Sequence, residues 1–202
     1  MAILRPKLLR SFVCLALLVF ASEASVGQVL SAPLTVQIVP TDFKGTGLRS
    51  IELYAPGNHF HVVLTNTSKA PIRIWREWCS WGHANLSFEA RDADGNVYVI
   101  SKWSGGDWDR NFPDWSEINP GEGFVIDVNL DPTVWQKSPL SGDSGKTKIR
   151  LKAIYEIRED TETKHWRIWT GRVSSAGLEY SLSWTGRGGN DKNGQVGKSG
   201  RR

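Results

Sequence analysis

The sequence predicts an all-β protein, an antiparallel immunoglobulin-like β-sandwich of seven to nine strands with a long Trp-rich loop. Three observations lead to this prediction. Apolar and polar residues alternate over short runs, turn residues separate these runs, and no amphipathic helix of three turns is recognisable. The chain has 202 residues, of which 40% are hydrophobic and 23% charged, and this suits a single domain with one core.

The predicted strands share an alternation of period two and are bounded by turn residues. They cover 34–39, 60–64, 72–74, 86–91, 97–100, 124–128, 149–157, 168–173 and 178–184. The run at 149–157 is the longest and places Ile, Leu, Ala and Tyr on one face. Residues 92–96, Asp-Ala-Asp-Gly-Asn, are predicted to form a hairpin turn because Asp, Gly and Asn tolerate positive φ.

The two ends of the chain differ in composition from its middle. Residues 1–24 are predicted to be a cleavable signal peptide, because a basic start is followed by an apolar run over 12–21 and then by small residues. The Gly-rich, basic segment 186–202 is too poor in apolar residues to fold and is predicted to be disordered. We therefore expect a sandwich over 32–185 in a protein that is secreted or periplasmic after cleavage.

The charge of the chain resides in those two ends. The formal net charge is +4. The predicted signal peptide carries three basic residues and one acidic residue, and the tail carries five and one. The remainder has 17 basic and 19 acidic residues. Because this body has no basic stripe, a nucleic-acid partner is not expected. No later segment has the 18 apolar residues of a membrane span.

Cys79 is the one cysteine outside the predicted signal peptide, so an intramolecular disulfide is not expected in the mature chain. His83 follows it at the spacing of two metal ligands, and exported copper sandwiches use His and Cys. However, the sole methionine is Met1, and His59 and His61 fall on the predicted solvent face. We expect no metal and no cofactor. For Cys79 itself three states remain open, namely a buried free thiol, an intermolecular disulfide and a metal-bound thiol.

Three motifs with catalytic or calcium-binding associations are better explained as loops. Residues 142–145, Gly-Asp-Ser-Gly, lack an upstream segment that supplies a His base. The turn at 92–96 begins like a calcium loop, but Ser101 stands where the bidentate Glu belongs. The four carboxylates within 107–117 resemble a glycosidase pair, yet loop carboxylates are usually solvated. We therefore do not expect an enzyme.

Tryptophan is the informative residue, with 10 copies against 7 of Phe. Six lie in the segments 75–81 and 103–119, and two explanations remain open. They cap the edge of the core, or they are exposed and stack on sugar rings or anchor a protein partner. The candidate binding residues are Trp75, Trp78, Trp81, Trp103, Trp108 and Trp115.

Three stretches carry a family resemblance. The order "LTNTSKAPIRI", "LSFEARDADGNVYVISKWSGG" and "INPGEGFVIDV" resembles exported immunoglobulin-like β-sandwich proteins of bacteria, especially the uncharacterised ones of planctomycetes. The same order, over about 60–128, is similar to the BsuPI-type proteinase inhibitor domain. The first resemblance implies a sandwich, and the second implies inhibition of proteinases.

Taken together, these features predict an exported, non-catalytic binding or structural module of the cell envelope. Its partner is expected to be an envelope protein or glycan, contacted through the Trp-rich segments. The alternative is a proteinase inhibitor of the BsuPI type. Asn66 and Asn85 each begin an Asn-x-Ser/Thr glycosylation sequon.

Overall fold

Two β-sheets face each other across a hydrophobic core, and a two-stranded ribbon lies beside them. A computed structural model describes residues 32–40, 49–53, 59–103, 105, 108, 111–138 and 145–184. The predicted signal peptide, the predicted disordered tail and most of the Gly-Asp-Ser-Gly motif lie outside these residues. The described elements are β1 Leu34–Val39, β2 Ser50–Leu53, β3 Phe60–Asn66, β4 Ile72–Trp75, α1 Ser80–His83, β5 Leu86–Arg91, β6 Val97–Lys102, β7 Trp115–Ile118, β8 Gly123–Val128, β9 Trp135–Gln136, β10 Gly145–Ile157, α2 Thr161–Trp166, β11 Gly171–Ser174 and β12 Leu178–Trp184.

The smaller sheet has the antiparallel order β1-β3-β8. Val62 pairs with Ile38 on one side and with Ile126 on the other, so three aliphatic side chains lie abreast on the inner face. The predicted alternation of β1 and β3 is confirmed, since every second residue of each strand is buried.

The larger sheet has the order β2-β12-β10-β5-β6-β9, with β11 also on β10. Strand β10 organises it because its 13 residues are long enough to hold two partners in succession along one edge. Its first half pairs with β12 and its end pairs with β11, while β5 occupies the other edge. The one parallel pair among the described strands joins β12 to β2.

The core fills the space between the two sheets. Phe60 of the small sheet meets Phe88 of the large sheet edge-on, with ring centroids 5.6 Å apart. Leu151, Ala153 and Tyr155 project inward from β10 and are buried. This two-layer arrangement confirms the predicted all-β sandwich. Its immunoglobulin-like character remains a prediction.

The predicted hairpin between β5 and β6 is confirmed. The Asp92 carboxylate accepts hydrogen bonds from the Asn96 backbone and side chain, at 2.8 and 2.9 Å, and from the Tyr98 hydroxyl at 3.0 Å. Gly95 has φ of +87°, which glycine adopts without strain. The Asn96 side chain that donates to the carboxylate holds the pKa of Asp92 below its usual value.

Some predicted elements need correction. The described residues form twelve strands where seven to nine were expected, because the short strands β2, β7 and β9, of two to four residues each, are not among the predicted ones. The segment 103–119 is not wholly a loop, since β7 lies within it. The strand expected at 168–173 begins only at Gly171, and the six-residue helix α2 precedes it.

Asn66, at the end of β3, joins the small sheet to the β4–β7 ribbon. It is fully buried, and its Nδ2 donates to the carbonyls of Ala70 and Ile118, both at 2.8 Å. Its Oδ1 accepts from the Ser68 backbone at 2.9 Å. Its own backbone N–H and carbonyl bond to Glu122 and Gly121, respectively. The side chain of Asn66 therefore joins the turn before β4 to the end of β7, and its backbone binds the turn that follows β7.

Replacing Asn66 with Ala should lower the free energy of unfolding by about 2–4 kcal/mol, because the Ala70 and Ile118 carbonyls and the Ser68 N–H would lose their partner. Urea unfolding followed by far-UV circular dichroism measures this difference. Asn119→Ala is the matched control, since Asn119 is exposed and its change should stay within about 0.5 kcal/mol. Equal stability of the two variants would contradict the role given to Asn66.

Candidate functional site: the Trp-rich edge

The six candidate tryptophans do not all lie at the surface. Trp75 is only 2% exposed and belongs to the core, so its assignment to a contact surface is wrong. Trp81 and Trp115 are half-buried and pack against the core. Among the six candidates, the exposed side chains are Trp78 at 63% and Trp103 at 52%. Some of these tryptophans therefore pack on the core while others are exposed, and a binding role for the exposed ones stays a prediction.

The structure brings several of these tryptophans together along one edge of the sandwich. We define the Trp-rich edge as residues 75–83 together with 108 and 111–115. Its frame is the ribbon in which Trp75 of β4 pairs with Trp115 of β7. Trp81, from α1, covers the buried Trp75 with ring centroids 5.8 Å apart and an angle of 34° between them.

A tight turn between β4 and α1 holds this edge in shape. Cys79 is a buried free thiol whose Sγ donates to the Arg76 carbonyl at 3.2 Å and lies 3.6 Å from the Asp114 carbonyl. Gly82 and His83 both donate their backbone N–H to the Cys79 carbonyl at 3.0 Å. The sulfur therefore lies inside the turn, and burial of this kind favours an inert thiol.

The segment that precedes β7 is bound to the same turn. The Asn111 side chain accepts from the Ser80 backbone at 2.9 Å and donates to the Ser80 hydroxyl at 2.6 Å. The Arg76 backbone N–H donates to the Asp114 carbonyl at 3.0 Å. Residues 75–83 and 111–115 are distant in sequence, yet these bonds make them one rigid surface.

The Trp78 side chain is exposed to solvent, but two neighbouring side chains contact its indole ring. Its indole Nε1 donates to the Asp114 carboxylate at 2.6 Å, and the Arg76 guanidinium stacks over its ring at 4.8 Å from the centroid. The Arg76 Nε in turn donates to the Ser116 hydroxyl at 2.7 Å. These contacts restrict the orientation of the exposed ring.

Neighbouring side chains repeat this arrangement of arginine on tryptophan. The Arg73 guanidinium lies 4.4 Å from the Trp115 ring centroid and pairs with Glu117 at 3.0 Å. Glu117 and Asp114 therefore each have a structural partner, and Asp107 and Asp109, the other two carboxylates of this segment, lie outside the described residues. Trp108 meets His83 edge-on at 5.3 Å.

Trp103 lies beyond the end of β6 and is not part of the Trp-rich edge. Its backbone N–H donates to the Val134 carbonyl at 2.9 Å, which extends the pairing of β6 with β9 by one bond. Val97 and Val99 lie on the same face of β6 as Trp103, because every second residue of a strand points the same way, and both are also exposed. The preceding Lys102 points inward, where its ammonium contacts Glu77 and lies over the Trp135 ring.

The metal-site candidates are not brought together. Among the described residues no three His, Cys, Asp or Glu side chains are placed to hold an ion. His61 lies on the solvent face, where its Nδ1 is 2.7 Å from the Asp127 carboxylate. The described part of the chain also has no helix long and apolar enough to cross a membrane.

Neither sequon asparagine is available in the folded state. The Asn66 side chain is fully buried and makes the hydrogen bonds described above. The Asn85 Nδ2 is likewise enclosed by protein. Attachment of a glycan at either nitrogen therefore requires the surrounding structure to open.

Gly82 is the residue of the turn that sequence analysis missed. A Cβ at this position would lie 1.9 Å from the Arg76 carbonyl oxygen, which is a backbone atom and cannot rotate away. We expect Gly82→Ala to lower the free energy of unfolding by about 2–3 kcal/mol through this overlap. Guanidinium unfolding measures the loss.

Gly177→Ala serves as the control for Gly82→Ala, because its nearest neighbour would be a flexible Arg150 side-chain atom at 3.7 Å. This variant should unfold within about 0.5 kcal/mol of the original protein. If Gly82→Ala were equally well tolerated, the turn would not be as tightly packed as the distances indicate.

No protein-family model, curated protein or solved structure matches this chain. The resemblances to exported sandwich proteins and to BsuPI-type inhibitors therefore remain predictions. Function is inferred below from the positions and contacts of the side chains themselves.

Proposed function

We propose that this chain is an exported, non-catalytic binding module of the cell envelope, which contacts a glycan or protein through exposed tryptophans. The observation that carries the proposal is Trp78, which is 63% exposed while its indole nitrogen is bound to Asp114. At this exposure most of the apolar ring contributes nothing to the core. Held rigidly at a surface, it provides contact area at little entropic cost.

The surroundings of Trp78 suit a contact surface better than a catalytic site. Phe112, two residues from Asp114, is also highly exposed, so apolar area extends beyond the indole. The carboxylate of Asp114 and the guanidinium of Arg76 are engaged with the Trp78 side chain. Exposed aromatic anchors surrounded by satisfied polar groups are typical of the centre of a binding interface.

Trp103 supports the same proposal at a second position. It is 52% exposed at the end of β6, next to Val134, which is also exposed. Its Nε1 lies 3.5 Å from the Pro132 carbonyl, so the indole rests on the loop before β9. Two exposed tryptophans thus extend from elements that the core holds in place.

Replacing Trp78 and Trp103 with Ala should each weaken binding to envelope polysaccharide or envelope extract by about thirtyfold, equal to about 2 kcal/mol for a central aromatic anchor. Trp emission titrated with these materials measures the affinity. Thermal unfolding should be nearly unchanged, because neither ring belongs to the core.

Two further variants make this test decisive. Val125→Ala removes an exposed apolar side chain from the small sheet and should leave binding unchanged. Trp115→Ala should instead destabilise the fold, because its ring packs against the core. Unaltered binding by the Trp78→Ala, Trp103→Ala double variant would refute the proposal.

A further inference from the structure

A groove of about 560 Å³ lies at the end of the large sheet, between α1 and the start of α2. Strand β10 ends there, and β5 begins there. Its size falls within the range of about 300–1,000 Å³ that is usual for small-molecule sites. Trp81 forms one wall, and Ser87 and Ser101 contribute to the lining from β5 and β6.

Trp81 presents a supported aromatic surface to this groove. It is half-buried and rests on Trp75, which is itself in the core. Because the ring behind it cannot move, the side of Trp81 that lines the groove is held in position. A flat ring of this kind packs well against the apolar C–H face of a pyranose.

Two hydroxyl groups lie together on the strands opposite. Ser87 and Ser101 are direct cross-strand neighbours, so their side chains project side by side from the same face of the sheet. Each hydroxyl can donate one hydrogen bond and accept others, which matches the hydroxyls of a sugar ring. An apolar peptide side chain would leave both without a partner.

The charged side chains that line the groove carry no excess of positive charge. They are Glu156, Arg158 and Asp160, so one guanidinium stands against two carboxylates. Arg158 donates to Glu156 at 3.2 Å, and the Asp160 carboxylate accepts the Thr163 backbone N–H at 2.7 Å as the cap of α2. An anionic ligand therefore gains little here, and a neutral one fits best.

We propose that this groove binds neutral pyranose units of a glycan, with Trp81 stacked on the ring and Ser87 and Ser101 bonded to its hydroxyls. The inference rests on the proposed binding function and deepens it by naming the ligand class. Neither Trp78 nor Trp103 belongs to the lining of this groove, although Ser101 lies on the same face of β6 as Trp103.

The test is isothermal titration of the full chain with cellohexaose, laminarihexaose and chitohexaose, and with an acidic oligogalacturonate as the charged comparison. At least one neutral oligosaccharide should bind with saturation, and the acidic one should bind at least about tenfold more weakly. No binding of any neutral oligosaccharide by the folded protein would overturn the proposal.

Substitutions locate the site. Ser101→Leu removes one of the two hydroxyls, places a larger apolar side chain in the lining, and should weaken binding at least about tenfold. Ser181→Leu is its matched control, because it makes the same change on β12 of the same sheet, away from the groove. Equal affinity of the Ser101→Leu and Ser181→Leu variants would place the sugar elsewhere and overturn the proposal.

Trp81→Phe retains an aromatic face and should bind more tightly than Trp81→Ala. Circular dichroism confirms that each variant is folded, and the Ser101→Leu comparison stands even if Trp81→Ala unfolds.

The outcomes distinguish this inference from the proposed function. Loss of envelope binding on changing Trp78 and Trp103, with envelope binding by the groove variants unaffected, would overturn this inference alone. If neither set of variants mattered, the proposed function would fail too. If groove variants abolished binding to an envelope protein while no oligosaccharide bound, the glycan assignment would be wrong.

Discussion

The buried amide of Asn66 is the interaction on which the Trp-rich edge depends. It bonds to both strands of the β4–β7 ribbon, at Ala70 before β4 and at Ile118 at the end of β7, from a position within the small sheet. Backbone carbonyls buried without partners are costly, so this amide cannot be exchanged for an apolar side chain without loss. Through it, the sandwich holds a ribbon that projects aromatic side chains beyond the main core.

The turn after β4 and the helix α1 pack closely against that ribbon. Gly82 allows α1 to approach the Arg76 carbonyl, and the Cys79 thiol fills the interior of the turn. Trp81 then closes over Trp75, whereas Trp78 is turned to solvent and tied to Asp114. The same short segment thus supplies a core tryptophan, a half-buried one and an exposed one, which is why the six candidates have different roles.

Strand periodicity and hairpin chemistry were predictable because they are local. The alternation of β1, β3, β5 and β10 reflects one buried face, and the Asp92 turn needs only residues that tolerate its backbone. Strands β2, β7 and β9 were missed because they have only two to four residues, and even the alternation of β2 is too short to distinguish a strand from a loop. Their position depends on pairing with strands far away in the sequence, which no local pattern records.

The class of fold, the inward faces of the long strands and the concentration of tryptophan in two segments can all be read from the amino-acid sequence. The core position of Trp75, the exposure of Trp78 and Trp103, and the groove shared by Ser87, Ser101 and Trp81 become visible only in the folded chain. This is because burial depends on what packs against a residue. For these side chains the neighbours come from other strands and turns, so composition and spacing cannot reveal them.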